Sequence, residues 1–357
     1  VKGRVLVAGF ATRHVAQSAY RAGYLVSAVD HFCDTDLSWY TKDRIRFEEL
    51  EEIAPAIEEM GTRRRFDMLV LTSGAEEIAS AIPLCGTPPG RIARFLDKLE
   101  IQRFIESLGV PVPPLVPDGG YPAMIKPRCG SGGWRNRIIG NAEERTAWDG
   151  EFEGMPAITQ EIVDGTPASV CCVADGTRAR AIATNEQILR GTGTVRYGFS
   201  GSVTPFDHPL GEEMVRYAER IAAASGCVGT VGIDFVLGDR AWAIEINPRF
   251  QGTLDTVEMA TETSLFETHV NACRGILPET DTHPFRYAAR SILFAERDLT
   301  IREDLASLAP DVADIPRPGT FIEEEKAVVS VYGLGPTREA ALALLDKNIN
   351  RVNQYVR

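Results

Sequence analysis

The chain has 357 residues, enough for two or three domains with well-buried cores, and its 44% hydrophobic and 25% charged residues are those of an ordinary globular protein. A formal charge of −12 leaves no basic surplus to neutralise a nucleic-acid backbone or an anionic membrane, so neither partner is expected. Seven cysteines without a CxxC pair, and no signal peptide or apolar run of membrane length, point to a reduced, cytoplasmic protein without a disulfide framework or zinc site.

Residues 1–85 alternate strand and helix. "RVLVAGF" is a buried-strand run, "ATRHVAQSAYRAG" has helical spacing ended by Gly23, and "YLVSAVD" and "FDMLVLTSGAE" are further strands with the acidic "FEELEEIAPAIEEMG" helix between them. That alternation predicts a parallel sheet, whose ligands sit at the carboxyl ends of its strands. Those ends carry Thr12 and Arg13, then Asp30 to Asp36, then Ser73 to Glu76. Thr12 and Ser73 equally suit helix caps. "GFATRHVA" is not GxGxxG, so a dinucleotide site is not expected.

After the turn-rich "PLCGTPPGR", the stretch "RIARFLDKLEIQRFIESLGVPVPP" reads as a helix, with Ile101, Phe104, Ile105 and Leu108 on one face. From Tyr121 to Asn247 the pattern becomes many strands with short turns, including hairpins around Asp175–Gly176 and in "TVGIDFVLGDRAWAIEIN". Beyond Gly275 a proline-rich stretch leads to a last unit with the strand "KAVVSVYGLG" and the helix "TREAALALLDKNINRVNQYV".

Two segments carry candidate chemistry. In the hairpin "GIDFVLGDRAWAIEINPR", alternation puts Glu245 and Asn247 on one face and Trp242, Ile244 and Ile246 on the other. A carboxylate and an amide oxygen so placed can share a hard cation, and Asp234 joins them if the loop has two or four residues. A three-residue loop would turn Asp234 away; the alternative is an acidic strand face in solvent. The second segment is "AMIKPRCGSGGWRNRII", where Lys126 ends a strand and a glycine-rich turn can bring backbone N–H groups to phosphate oxygens. It lacks the GK[ST] ending of a P-loop. Lys98 in "LDKLE" and the polar pair Gln160–Glu161 in "ITQEIVDGTPASV" have no distinction of their own.

The order of these features, a helix with "DK", a strand–lysine–glycine loop, "QEIVDG" and "GIDF…IEINPR", resembles the ATP-grasp superfamily, in particular a branch of ATP-dependent carboligases related to biotin carboxylase. The resemblance implies an α/β and α+β architecture: an N-terminal parallel-sheet, biotin-carboxylase-like domain (1–85), a two-subdomain ATP-grasp fold (86–275) and a small C-terminal α/β unit (276–357). It implies that Lys98 and Lys126 contact nucleotide phosphates under a loop of Gly130, Ser131, Gly132 and Gly133. Gln160, Glu161, Ile162 and Val163 would form the adenine hinge, and Asp234, Glu245 and Asn247 would hold Mg2+ (or Mn2+) beside Arg249, which faces the transferred phosphoryl group. Pro167 replaces a common ribose-binding glutamate, with Ser169 nearby, and Gly232 replaces an arginine found in some relatives.

The implied activity is an ATP-dependent ligase that activates a small carboxylate as an acyl phosphate and joins it to an amine, as a possible homodimer. The acceptor would lie near Arg13, Ser73, Glu76 and Arg249, with Gln187, Arg190 and Arg196 either addressing the second substrate or lining a loop. The alternatives are a bicarbonate-using carboxylase and a non-catalytic ATP-binding sensor.

Overall fold

The computed structural model describes residues 2–130, 132–133, 135–193 and 195–356; Ser131 lies outside them. The chain opens with β1 (Arg4–Gly9), α1 (Arg13–Arg21), β2 (Leu25–Asp30), α2 (Leu37–Tyr40), β3 (Thr41–Arg46), α3 (Ile53–Arg63) and β4 (Met68–Leu71). The strands form a parallel sheet in the order β3-β2-β1-β4. Because side chains alternate across a strand, Val5 and Val7 pack beneath α1 with Val15, Ala16 and Ala19. Leu6 and Ala8 pack on the other face with Ile53, Ile57 and Met60 of α3. Helices on both faces account for the almost unbroken apolar runs. Strand β3 is not foreseen: its sequence TKDRIR is charged and half-exposed because it edges the sheet.

Next come α4 (Pro89–Ile92) and α5 (Lys98–Ser107), so the helix read across this region is broken before Lys98. Asp97 leaves helical geometry, accepts a hydrogen bond from Leu99 N and starts a new helix. A three-stranded antiparallel sheet follows, ordered β6-β5-β7, from β5 (Ala123–Pro127), β6 (Arg137–Ile139) and β7 (Ala157–Gln160). Helix α6 (Ala142–Glu151) covers its back by burying Trp148 against Ala123, Ile125 and Ile139.

The remaining strands are β8 (Thr166–Asp175), β9 (Ala179–Leu189), β10 (Phe199–Thr204), β11 (Val228–Leu237), β12 (Ala241–Asn247), β13 (Tyr287–Phe294), β14 (Leu299–Thr300), β15 (Val312–Ala313), β16 (Phe321–Ile322) and β17 (Ala327–Gly335). Eight of them make one sheet, β12-β11-β8-β9-β10-β13-β17-β15, which continues from the β11–β12 hairpin into the last part of the chain. Helix α7 (Gly211–Ser225) packs Met214, Ala218, Ile221 and Ala222 on this sheet. Both α6 and α7 interrupt a region read as strands, although the i, i+4, i+7, i+8 spacing of α7 is helical. Then α8 (Leu254–Thr261), α9 (Leu265–Cys273) and α10 (Arg338–Val352) complete the chain. Among the described residues, no helix is long and apolar enough to cross a membrane.

One polar core ties these layers together. Arg13 is 3% exposed and donates to both oxygens of Asp255, at 3.1 and 2.6 Å, and to Asp314 Oδ1 at 2.8 Å. Arg290 donates to Asp314 Oδ2 at 3.0 Å, and Tyr332 OH to Asp255 Oδ2 at 2.6 Å. The amides of Asp314 and Ile315 close on Asp36. Arg13 is therefore not an acceptor contact. It is a buried bond between the parallel sheet, α8 and the C-terminal strands.

Candidate functional site

The hairpin β11–β12 is where sequence and geometry part and then meet again. Leu237 pairs with Ala241, leaving a three-residue loop, the case that should turn Asp234 away from Glu245. A bulge between Asp234 and Phe235 resets the register by one residue, so Asp234 stands directly opposite Glu245, and Gly232 opposite Asn247. Ile244 is the extra residue. The bulge also corrects the facing of β12: partly exposed Trp242 shares the acidic side with Glu245 and Asn247, whereas Ala243 and Ile246 enter the core.

Around that pair, Asn247 Nδ2 donates to Asp234 Oδ2 at 3.0 Å and Gln187 Nε2 to Asp234 Oδ1 at 2.9 Å. Gln187 thus belongs beside the acidic pair. Arg190 lies over the Phe294 ring and Arg196 over that of Tyr197. Burial and the charge of Glu245 push the Asp234 carboxyl up to about 7, against its hydrogen bonds from Gln187 and Asn247. Two carboxylates that repel one another in a low-dielectric cleft are a fit for a divalent cation, with Asn247 as the neutral oxygen donor. Arg249 donates from Nε to Glu76 Oε1 at 2.8 Å and from Nη2 to Asn247 Oδ1 at 3.2 Å, which brings the loop after β4 to the hairpin. A Cβ at Gly232 would fall 2.4 Å from Gln251 Cγ, so Gln251 fills the space a side chain there would need.

The second half of the site comes from α5 and β5. Lys98, the first residue of α5, reaches Gly130 O at 2.5 Å and stands 3.7 Å from Glu245 Oε1. Its backbone N–H bonds to Arg128 O, and the Arg128–Asp97 ion pair pins the helix start to the loop. Lys126 is 9% exposed on the central strand β5. Burial draws its ammonium down to about 8, with Lys98 adding to the shift and Glu245 opposing it. Gly130, Gly132 and Gly133 all have left-handed backbones, at φ +115°, +76° and +67°. A Cβ on Gly133 would lie 2.4 Å from Tyr197 O, so the loop can rest on residues 197–198 only with glycine there.

In register, Lys126 opposes Ile158 and Met124 opposes Gln160, so the buried Gln160 shares the face of Lys126. Its Nε2 donates to Gln102 Oε1 at 2.8 Å, leaving Oε1 buried with no partner. An unpaired buried acceptor in this position suits an amino group of a ligand. Glu161 is exposed and held by its N–H on Pro114 O; Ile162 and Val163 follow, half-buried, in the strand-free link to β8. Pro167 opposes Val236. Ser169 is buried beneath Asp234 and takes a bond from Asn185, so its hydroxyl is committed there. Thr12 caps no helix; its N–H and hydroxyl both go to Asp30.

Away from the cleft, Cys85, His269 and Cys273 bring their ligand atoms within 4.8 Å of one another. His269 Nδ1 accepts from Thr230 N at 2.9 Å, so Nε2 carries the proton, which it gives to Cys85 O at 3.1 Å. Both ring nitrogens are spent on the backbone, and the imidazole acts as a crosslink.

The model of the ATP-grasp domain family matches residues 95–253, the span from just before α5 to just beyond the β11–β12 hairpin. The chain carries an ATP-grasp domain. It is 24% identical to the uncharacterized protein MJ0776 of Methanocaldococcus jannaschii, over 92% of this chain and 87% of that one. It is 24% identical to the C-terminal section of the carbamoyl phosphate synthase large chain of Methanopyrus kandleri, covering 74% of this chain but only 54% of that relative. In fold, the chain matches biotin carboxylase from Campylobacter jejuni over 97% of its length and 90% of that chain, with TM-score 0.79 at 15% identity. It also matches L-amino acid ligase from Bacillus licheniformis over 97% of both chains, with TM-score 0.75 at 14% identity.

Proposed function

We propose that this protein is an ATP-dependent ligase that activates a small carboxylate as an acyl phosphate and joins it to an amine, releasing ADP and phosphate. The observation that carries the reading is the bulged hairpin, which sets Asp234 against Glu245, with Asn247 and two lysines around them. A magnesium ion held by Asp234, Glu245 and Asn247 would supply positive charge to the phosphoryl oxygens. Lys126 and Lys98 would hold the phosphates from the other side, and Gly130, Ser131, Gly132 and Gly133 would cover them and keep water from the acyl phosphate. Gln160, Glu161, Ile162 and Val163 would hold the adenine, with Gln160 Oε1 accepting from its amino group. Arg249, positioned by Glu76, would face the carboxylate as the phosphoryl group arrives.

The test is release of ADP and phosphate from Mg-ATP with pooled carboxylates and amines, then with bicarbonate, alongside Glu245→Ala. Stimulation by a carboxylate–amine pair that vanishes in the variant supports the ligase. A bicarbonate response without an amine would replace it with the carboxylase reading, which the likeness to biotin carboxylase keeps as the second choice. Tight nucleotide binding with no stimulation at all would favour a sensor.

A further inference from the structure

The carboxyl edge of the parallel sheet carries more exposed aromatic surface than a solvent-facing edge needs. Phe10 follows β1 and is 39% exposed; Phe32 follows β2 and is 41% exposed. Between them, His31 stacks on Phe10 with ring centroids 4.7 Å apart and planes at 12°, and Phe32 stands edge-on to both rings. Leu50, 48% exposed, borders the same patch through Gly74.

The corner is rigid. Asp30, buried at the end of β2, accepts from Thr12 N at 2.6 Å, from Phe32 N at 2.9 Å and from Cys33 N at 2.7 Å. One carboxylate therefore fixes both aromatic loops. It also occupies the start of α1, which excludes phosphate there. His31 Nδ1 donates to Phe47 O at 3.1 Å, so its Nε2 remains an acceptor. The patch is joined to the phosphoryl end of the site: Phe10 N bonds to Ser73 O, Gly74 N to Glu76, and Glu76 to Arg249.

From this juxtaposition we infer that the second substrate is a planar aromatic or heteroaromatic carboxylate, its ring laid in the Phe10–His31–Phe32 corner and its carboxylate at Arg249. Quadrupolar faces and edges reward a flat ring over a saturated one of equal area, and His31 Nε2 adds a partner for an amino or ring N–H group. The inference rests on the ligase reading of the cleft and names the substrate class that reading leaves open.

The probes are 4-aminobenzoate and cyclohexanecarboxylate, offered to the full chain saturated with Mg-ADP and followed by saturation-transfer NMR and titration. The aromatic acid should bind better than the saturated one, and Phe10→Leu or Phe32→Leu, which keep an apolar side chain, should weaken it about two- to tenfold. Mg-ADP affinity and thermal midpoint should not move in either variant, since both rings are exposed. Equal binding of the two acids, or aromatic binding indifferent to both variants, overturns the inference. Failure of Mg-ADP to bind while 4-aminobenzoate still depends on Phe32 would sink the ligase reading and leave the ring site standing.

Discussion

Two charge clusters, one at the centre of the molecule and one at the cleft, are built from the same residue types with opposite results. Around Arg13, cations and anions interleave, and Asp255 is drawn down to about 2 by Arg13, against the cost of its burial. Asp314 is likewise pulled far down by Arg13 and Arg290. At the cleft, burial acts with like charges: Asp234, buried beside Glu245, rises to about 7, and Lys126, buried and repelled by Lys98, falls to about 8 although Glu245 opposes the shift. The first arrangement satisfies itself. The second is left with charges of both signs that an arriving cation and phosphates would satisfy, the pattern that marks sites over struts.

That contrast can be broken most forcefully at the centre. Arg13→Ala strands Asp255, Asp314 and Asp36 in the core and should cost about 3–5 kcal/mol of stability in urea unfolding. A variant as stable as the parent would end the claim that the cluster is structural. Glu245→Ala should do the reverse: turnover about a hundredfold lower or worse, with the unfolding midpoint unchanged or higher because Asp234 loses its neighbour's repulsion. Lys126→Ala should weaken Mg-ATP about tenfold to a hundredfold, the worth of roughly 1.5–3 kcal/mol for a charge-assisted bond. Unaltered ATP affinity by calorimetry would remove the lysine from the phosphate site.

A smaller effect sharpens the same line. Gln160→Leu should weaken ADP about three- to tenfold and reduce preference for adenine over inosine nucleotides, read by competition binding. The smallest is a pH trend. A carboxyl raised to about 7 in the fold binds its proton more tightly than in the unfolded chain, so its penalty on stability is absent below the ordinary 3.8 and complete above 7. Mn2+ must displace that proton, so its affinity should rise as pH is raised from 6 to 8 and then level off, and Glu245→Ala should flatten the rise.

Much of this was legible in the residues. The apolar runs of β1 and β2, the spacing of Val15 and Ala19, and the terminal strand–helix pair announce their elements because burial on both faces leaves a strong pattern. The edge strand Thr41–Arg46 was not legible, since an edge strand with charged side chains looks like a loop. The N-terminus of α5 was hidden because Leu96 and Phe95 continue the helical spacing, and only the pairing of Asp97 with Arg128 reveals the break. At the site, Glu245 and Asn247 could be placed by alternation, but Asp234 could not: its facing depends on a bulge, and nothing in "DRAWAIEIN" says which residue is extra. Arg13 misled for a plainer reason. An arginine at a strand end looks like a ligand for anions, and its partners, Asp255 and Asp314, lie 242 and 301 positions away.

The bulge at Ile244 also says something about which genetic changes this hairpin tolerates. Loss of that single codon would even the register yet keep Asp234 opposite Glu245 and Gly232 opposite Asn247, so such a deletion should still bind Mn2+ and lose only the local bend. Loss of Ile246 instead would set Asn247 next to Glu245, on the opposite face of the strand. That deletion should bind Mn2+ less well than the parent. Descent could therefore weaken this site without touching one of its residues, and an inventory of its side chains would still call it intact.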